Sequence, residues 1–414
     1  MRGEQVGAVL DDAVSSGHLA GVAASAWTRS GLLYEGAAGT TATGNAMALD
    51  SMVWIASMTK AVTAVAVMQL IERGTLRLDQ RAGELVPYLE AVLVLAGFDE
   101  DGTARLRSPT RPVTLLHLLT HTSGFGYSST DESLARHAST IPDAPPGSQA
   151  SFERPLIFDP GDGWAYGIGL DWAGRVVEAA SGQRLDAYFT EHIFEPLGMI
   201  DTTFLPSPEQ APRLTGMHQR TDGRLVASPP ESPTEVPEML SGGGGLYSTV
   251  IDYARFTRMV LGRGELDGRR VLSPSSVELM ARDHLDGQEP RGWTSTNALA
   301  TNDVDLLVGQ HPGWGLSFLR NSIATEEGRS AGSLFWGGLA NTYYWIDLDA
   351  GVTGVFATQV LPFYDAQALG VFSAFERSVY AAAPSARAPK YRQFDILWAW
   401  TQPHCSRRSG AGAA

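Results

Sequence analysis

Residues Ala61 through Arg73 are apolar on almost every side and stop at Gly74, the pattern of a buried helix closed by a glycine C-cap. Residues 4–16 carry a helical period with one apolar face. The runs Gly21–Thr28 and Leu32–Ala38 flank Arg29-Ser30-Gly31 and predict a β-hairpin. From about residue 80 to 245 the chain turns irregular and rich in Pro, Gly, Asp and Ser, with helices expected at Thr114–Thr120, Leu170–Ser181 and Leu185–Phe194. Gly182 should close the second of these and Pro196 the third. Short β-prone runs then recur at Trp314–Leu319, Ser333–Trp336, Asn341–Ile346 and Val352–Thr358, the spacing of an antiparallel meander, and a final helix over Ala366–Ala381 would pack on it.

Sheet segments at both ends of the chain imply an α+β fold, an antiparallel sheet flanked by helices, with a mainly helical insertion. The expected division is a discontinuous sheet domain over 1–80 and 246–382, a helical and irregular domain over 81–245, and a C-terminal extension over 383–414. In that extension Trp398 and Trp400 offer docking groups. The 414 residues are 43% apolar and 18% charged, enough to bury a sizeable core, and the formal charge of −14 argues against a nucleic-acid or anionic-membrane partner. A single cysteine, Cys405, excludes an intrachain disulfide framework and any cysteine-rich metal site. Neither a signal-like apolar core nor a membrane-length run is present, so a cytoplasmic location is expected.

At the head of the buried helix stands Ser57-Met58-Thr59-Lys60. Three helical steps turn the chain by roughly 300° and raise it about 4.5 Å, so Ser57 and Lys60 share a face and the amine can reach the hydroxyl. A serine opening a helix gains positive potential, and a lysine in an apolar wall has reason to lose its proton; the competing reading is a serine that merely caps a core helix. Tyr166, held by the turn-rich run Phe158–Ala165 just before a helix, offers a phenol that can shuttle protons if Lys60 is its neighbour, or simply a core tyrosine. Trp336-Gly337-Gly338 ends a predicted strand, where glycines let a substrate approach the backbone or form a bulge. A carbonyl lying between that strand and the Ser57 helix would meet the main-chain N–H groups of Ser57 and Leu339, an oxyanion site.

Ser57-x-x-Lys60, Tyr166 and Trp336-Gly337-Gly338 together resemble the serine β-lactamase and penicillin-binding superfamily, particularly family VIII carboxylesterases. His117–Gly124, Glu195–Met199 and the Gly242–Gly245 run before Tyr247 look like further landmarks in the same order. Val94–Arg107 and Leu170–Gly174 are similar to the fungal lovastatin acyltransferase branch. The resemblance implies that Ser57 is acylated while Lys60 and Tyr166 handle its proton. Lactamases of the family usually carry Lys-Thr-Gly in the third box and Tyr-x-Asn in the second. Here Trp336-Gly337-Gly338 and Tyr166-Gly167-Ile168 replace those polar anchors with an apolar wall, which suits an uncharged or weakly polar acyl ester. Tyr127 and Trp314 are further candidates for the acyl-pocket wall.

Three other signals compete. Gly328-Arg329-Ser330-Ala331-Gly332 matches the G-x-S-x-G pentapeptide, but it lacks the strand-before, helix-after setting of a nucleophile elbow. His117 and His121 lie four apart, yet Leu118 stands where a metalloprotease glutamate would, so no metal site is assigned. The Gly242–Gly245 run lacks the Lys-Ser/Thr of a phosphate loop and reads as backbone near a pocket. The expectation is therefore a serine carboxylesterase cleaving or transesterifying short-chain acyl esters without a cofactor. Its alternatives are a β-lactamase or D-amino-acid peptidase, or a silent scaffold of the same fold.

Overall fold

The computed structural model describes residues 2–230, 236–306 and 311–383; the C-terminal extension, with Trp398 and Trp400, lies outside them apart from Ala383. The first helix, α1 (Arg2–Ser15), leads into the hairpin β1 (Gly21–Thr28) and β2 (Gly31–Gly39), and the buried helix α2 runs over Thr59–Glu72. The insertion supplies α3 (Leu115–Thr120) and α4 (Gly169–Ser181), and α5 (Val250–Leu261) returns the chain to the sheet. The remaining strands of the main sheet are β3 (Gly313–Trp314), β4 (Leu319–Arg320), β5 (Leu334–Gly338), β6 (Thr342–Asp347) and β7 (Val352–Ala357), before the last helix α6 (Ala366–Ala382).

Seven strands form one antiparallel sheet in the order β3-β4-β5-β6-β7-β1-β2, so the first hairpin joins the last strand through pairs such as Ala23↔Ala357. Both faces of the sheet are covered, which is why β6 is buried at every position yet still alternates. Tyr343 and Trp345 point into a core with Val6, Leu10, Phe372 and Phe375 of α1 and α6, while Tyr344 and Ile346 point into the larger core that contains α2 and α5. Twelve of the fourteen α2 residues are buried, and α4 packs against this helix. A helix apolar all round is stable only when enclosed in this way.

Several elements differ from their expected form. Residues 81–245 are not purely helical: Val94–Phe98 pairs with Ala104–Arg107, and Met217–Thr221 with Arg224–Ser228, the latter pair extended in parallel by Val360–Leu361. The second strand of each hairpin is mostly exposed, so little apolar alternation marks it. The run Trp314–Leu319 is two short strands rather than one, because Ser317 takes a left-handed φ of 72° and turns the chain between β3 and β4. The expected helix Leu185–Phe194 passes through a π turn at Thr190–Phe194 into a last turn, Glu195–Leu197, and it is closed by left-handed Gly198 instead of Pro196. The proline stands in the first turn of that last piece, where a missing N–H costs least.

Candidate active site

Ser57 does not cap α2. It sits in a single 3-10 turn, Ala56–Met58, entered through Ala56 at a left-handed φ of 43°, and the α2 N-cap makes no side-chain hydrogen bond. A non-glycine residue in that region is strained, and the strain lies immediately before the hydroxyl. Lys60 Nζ follows one turn later and lies 3.1 Å from Ser57 Oγ. It also donates to the Tyr127 hydroxyl at 3.0 Å and the Gly243 carbonyl at 2.6 Å.

These three oxygens match the three protons of an ammonium group. Burial pushes the Lys60 amine down, but the Tyr127 and Tyr166 oxygens and the Asp171 carboxylate outweigh it and hold the group above its ordinary value. The expectation that an apolar wall strips this lysine of its proton is thus corrected. Burial is present, but the polar groups facing Nζ decide the balance. Burial also raises Tyr127 more than Lys60 lowers it, so the pair rests as ammonium and phenol.

Tyr166 meets Lys60 with its ring, 4.8 Å from Nζ, while its hydroxyl accepts from Trp336 Nε1 at 2.9 Å. An indole N–H can only donate, so the Tyr166 proton is left for the cavity in front of it. Behind Tyr166 lies His121, which ends α3 at φ 59° and accepts from the Gly167 N–H through Nδ1. Trp314 is wholly buried against His121 and Trp336, with ring centroids 5.1 and 4.8 Å away, so it backs the wall rather than lining it.

The space in front of Ser57 is a cavity of about 590 Å³. Tyr127, Tyr166, Ile168, Trp336, Gly337 and Leu339 line it among the residues singled out from sequence. Gly338 does not. A Cβ there would lie 2.3 Å from the Ile55 carbonyl, so this glycine lets β5 approach the segment that carries Ser57 and not a ligand. The other walls are mostly apolar, with Trp54, Phe152, Phe204 and Trp293 among them, and one arginine, Arg154, reaches the lining. Among the described residues its Nη2 is bonded only to the Ser151 carbonyl, and its buried Nε has no partner.

The Gly242–Gly245 run lies against the cavity as expected. Thr63 Oγ1 bonds the Gly242 carbonyl at 2.6 Å, and Trp54 Nε1 bonds the Gly244 carbonyl at 2.7 Å. The G-x-S-x-G serine is elsewhere. Ser330 N–H binds Asp347 at 2.7 Å, its carbonyl accepts from Asn321, and β5 follows instead of a helix.

The two histidines serve separate structural roles, and no group of three metal-ligating side chains occurs among the described residues. His117 Nδ1 accepts from the Thr114 N–H in a capping box at the start of α3, and burial with Arg111 nearby lowers its pKa to about 4. The unfolded chain therefore binds a proton between about pH 6.5 and 4 that the folded chain refuses. Stability should fall with falling pH across that window by about 1.4 kcal/mol per unit, roughly 3 kcal/mol in all. His117→Gln, which can also close a capping box, is expected to flatten the slope in urea unfolding at pH 7 and 4.5. An unchanged slope would contradict this assignment.

Sequence reasoning placed Tyr127 only in the pocket wall and missed its bond to Lys60. It also passed over Asp171, since an acid in the first turn of a helix reads as a dipole partner. Among the described residues no helix is long and apolar enough to cross a membrane.

Comparison with known proteins agrees with this architecture. The β-lactamase family model matches residues 6–370. Lovastatin esterase from Penicillium rubens is 34% identical over 339 residues, 76% of this chain and 81% of that protein. Monacolin J acid methylbutanoyltransferase from Aspergillus terreus is 32% identical over 348 residues, covering 80% and 83%. A mutant of simvastatin synthase from Aspergillus terreus superposes with a TM-score of 0.77 at 29% identity, over 92% of this chain and 95% of that one. The chain therefore belongs to the β-lactamase family, as an acyl-ester hydrolase or acyltransferase of that fold.

Proposed function

We propose that this protein cleaves or transfers short acyl groups through an ester on Ser57, with an alcohol half that is bulky and mostly apolar. The observation that carries the reading is the Ser57–Lys60–Tyr127 contact at the wall of an apolar cavity of about 590 Å³. Neutral Lys60 would take the Ser57 proton as Oγ bonds to the ester carbonyl, whose electron pair moves to oxygen beside the Ser57 and Leu339 N–H groups. As the intermediate collapses, the C–O bond breaks and the leaving alkoxide takes a proton from Tyr166 or Lys60. Water then releases the acid, or an alcohol in the same space carries the acyl group away. No cofactor is required by these steps.

The β-lactamase alternative has less support, since Trp336, Gly337 and Ile168 put apolar groups at the positions beside Ser57 where lactamases of the family carry polar ones. Arg154 supports one refinement. A guanidinium with no carboxylate partner among the described residues, beside an apolar wall, suits an ester whose alcohol half bears a carboxylate, and one relative is named for its action on monacolin J acid.

Because Lys60 rests above its ordinary value, its basic form gains population as pH rises, so kcat/KM should climb through neutral into alkaline pH. A profile falling over that range would count against Lys60 as base. The direct test is intact-protein mass spectrometry after p-nitrophenyl butyrate, with peptide mapping. A butyryl adduct on Ser57 supports the reading, and an adduct elsewhere or none under rapid turnover overturns it. Added alcohols that divert product from butyrate to butyrate ester would indicate transfer.

A further inference from the structure

We infer that Asp171 is a positioning residue for acylation: by holding the Gly243 amide it fixes the carbonyl that pins Lys60 beside Ser57. The inference rests on the acyl-serine reading above. Asp171 lies in the first turn of α4 with 2% of its surface exposed. Its Oδ1 accepts from Ser241 Oγ at 2.5 Å and from the Gly243 N–H at 3.0 Å. The carboxylate approaches Gly243 so closely that a Cβ there would lie 2.2 Å from Oδ2, which only glycine permits.

At the other end of the same residue, the Gly243 carbonyl accepts from Lys60. A carbonyl can accept and never donate, so one Lys60 proton is always committed to Gly243. When the ammonium loses a proton, the lone pair must then face one of the two hydroxyls, Ser57 or Tyr127, that can donate back. Fixing Gly243 thereby aims the base. Thr63 and Lys60 hold the loop's carbonyls from α2 while Asp171 holds its amide from α4, so the aim is set by two packed helices.

A buried carboxylate is a costly way to anchor a loop, and an amide or hydroxyl would serve if anchoring were its whole task. The groups facing Lys60 explain the charge. Ser57 and Tyr127 touch it, and the Tyr166 ring lies 4.8 Å away. His121 feels its charge and is kept neutral by burial. Asp171 is thus the anion of this set, and it balances the ammonium formed each time Ser57 gives up its proton.

The test compares Asp171→Asn and Asp171→Ala with the unaltered protein in single-turnover acylation by p-nitrophenyl butyrate, beside thermal unfolding and a Ser57→Ala control. The alanine variant should acylate roughly a hundredfold more slowly, and the asparagine variant, which keeps one acceptor oxygen, roughly tenfold more slowly, with KM within about threefold. In the asparagine variant the rising limb of the pH profile should also move down by about one unit. If the alanine variant does not fold, the asparagine variant decides the matter. Acylation at the original rate with an unmoved limb overturns the inference, as does a loss that disappears when the assay is cooled to where the variant is fully folded. Turnover surviving in Ser57→Ala would instead sink the acyl-serine reading itself.

Discussion

Ser57→Ala is expected to lower turnover of p-nitrophenyl butyrate by about four orders of magnitude or more, Lys60→Met by nearly as much, and the double variant by no more than Ser57→Ala. The reason is that each step proposed for Lys60, taking the Ser57 proton and returning one to the leaving alkoxide, needs the bond formed by Ser57 Oγ, 3.1 Å away, so removing the serine leaves the lysine no step to assist. Independent contributions would multiply in the double variant. A shared step does not. Methionine matches the lysine stem and keeps α2 filled, but it leaves the Gly243 carbonyl and the Tyr127 hydroxyl without their donor. Some loss of stability should therefore accompany the loss of rate. Steady-state kinetics of the three variants, with unfolding midpoints measured alongside, decide the matter. A double variant a thousandfold worse than Ser57→Ala would mean that Lys60 works on the substrate independently.

The second large effect lies far from the chemistry. Glu376→Ala is expected to destabilise the fold by about 3–5 kcal/mol, a drop in the thermal midpoint of about 4–6 °C. Glu376 is fully buried on α6, and Arg329 grips it with two bonds of 2.5 and 2.9 Å while stacking over Phe335. Burial raises the Glu376 carboxyl, and Arg329 only partly offsets this, so the pair is not a large net gain. Its removal by halves is what costs, because the guanidinium stays buried without an anion. Replacing both, as Arg329→Met with Glu376→Leu, should recover most of the loss. If the single variant unfolds within two degrees of the unaltered protein, the pair is better solvated than its burial indicates. The same arginine belongs to the G-x-S-x-G string, whose resemblance to a nucleophile elbow is a by-product of this anchor.

The elements with strong periodicity were legible. The α2 run, the first hairpin and the last helix carry apolar patterns that their burial requires, and the structure places them within a few residues of expectation. The short hairpins between residues 94 and 228 were not, because exposed strands such as Ala104–Arg107 carry almost no alternation. The i, i+3 spacing of Ser57 and Lys60 was enough to bring the two side chains together. The charge on Lys60 was not readable, since it depends on Tyr127 and Asp171, distant in sequence and brought to Nζ by tertiary packing. Trp314 shows the reverse limit. Its composition suits a pocket wall, and the rings in front of it decide otherwise.

The pairing of β1 with β7 has a consequence for how the chain is made. Ala23 leaves the ribosome well before its partner Ala357, which is more than three hundred residues behind. At usual rates of synthesis the first hairpin waits on the order of tens of seconds for the strand beside it. During that wait the edge of β1 is an open template for other nascent strands. Yield in cells should therefore depend on chaperone supply and growth temperature more than the stability of the finished fold would suggest.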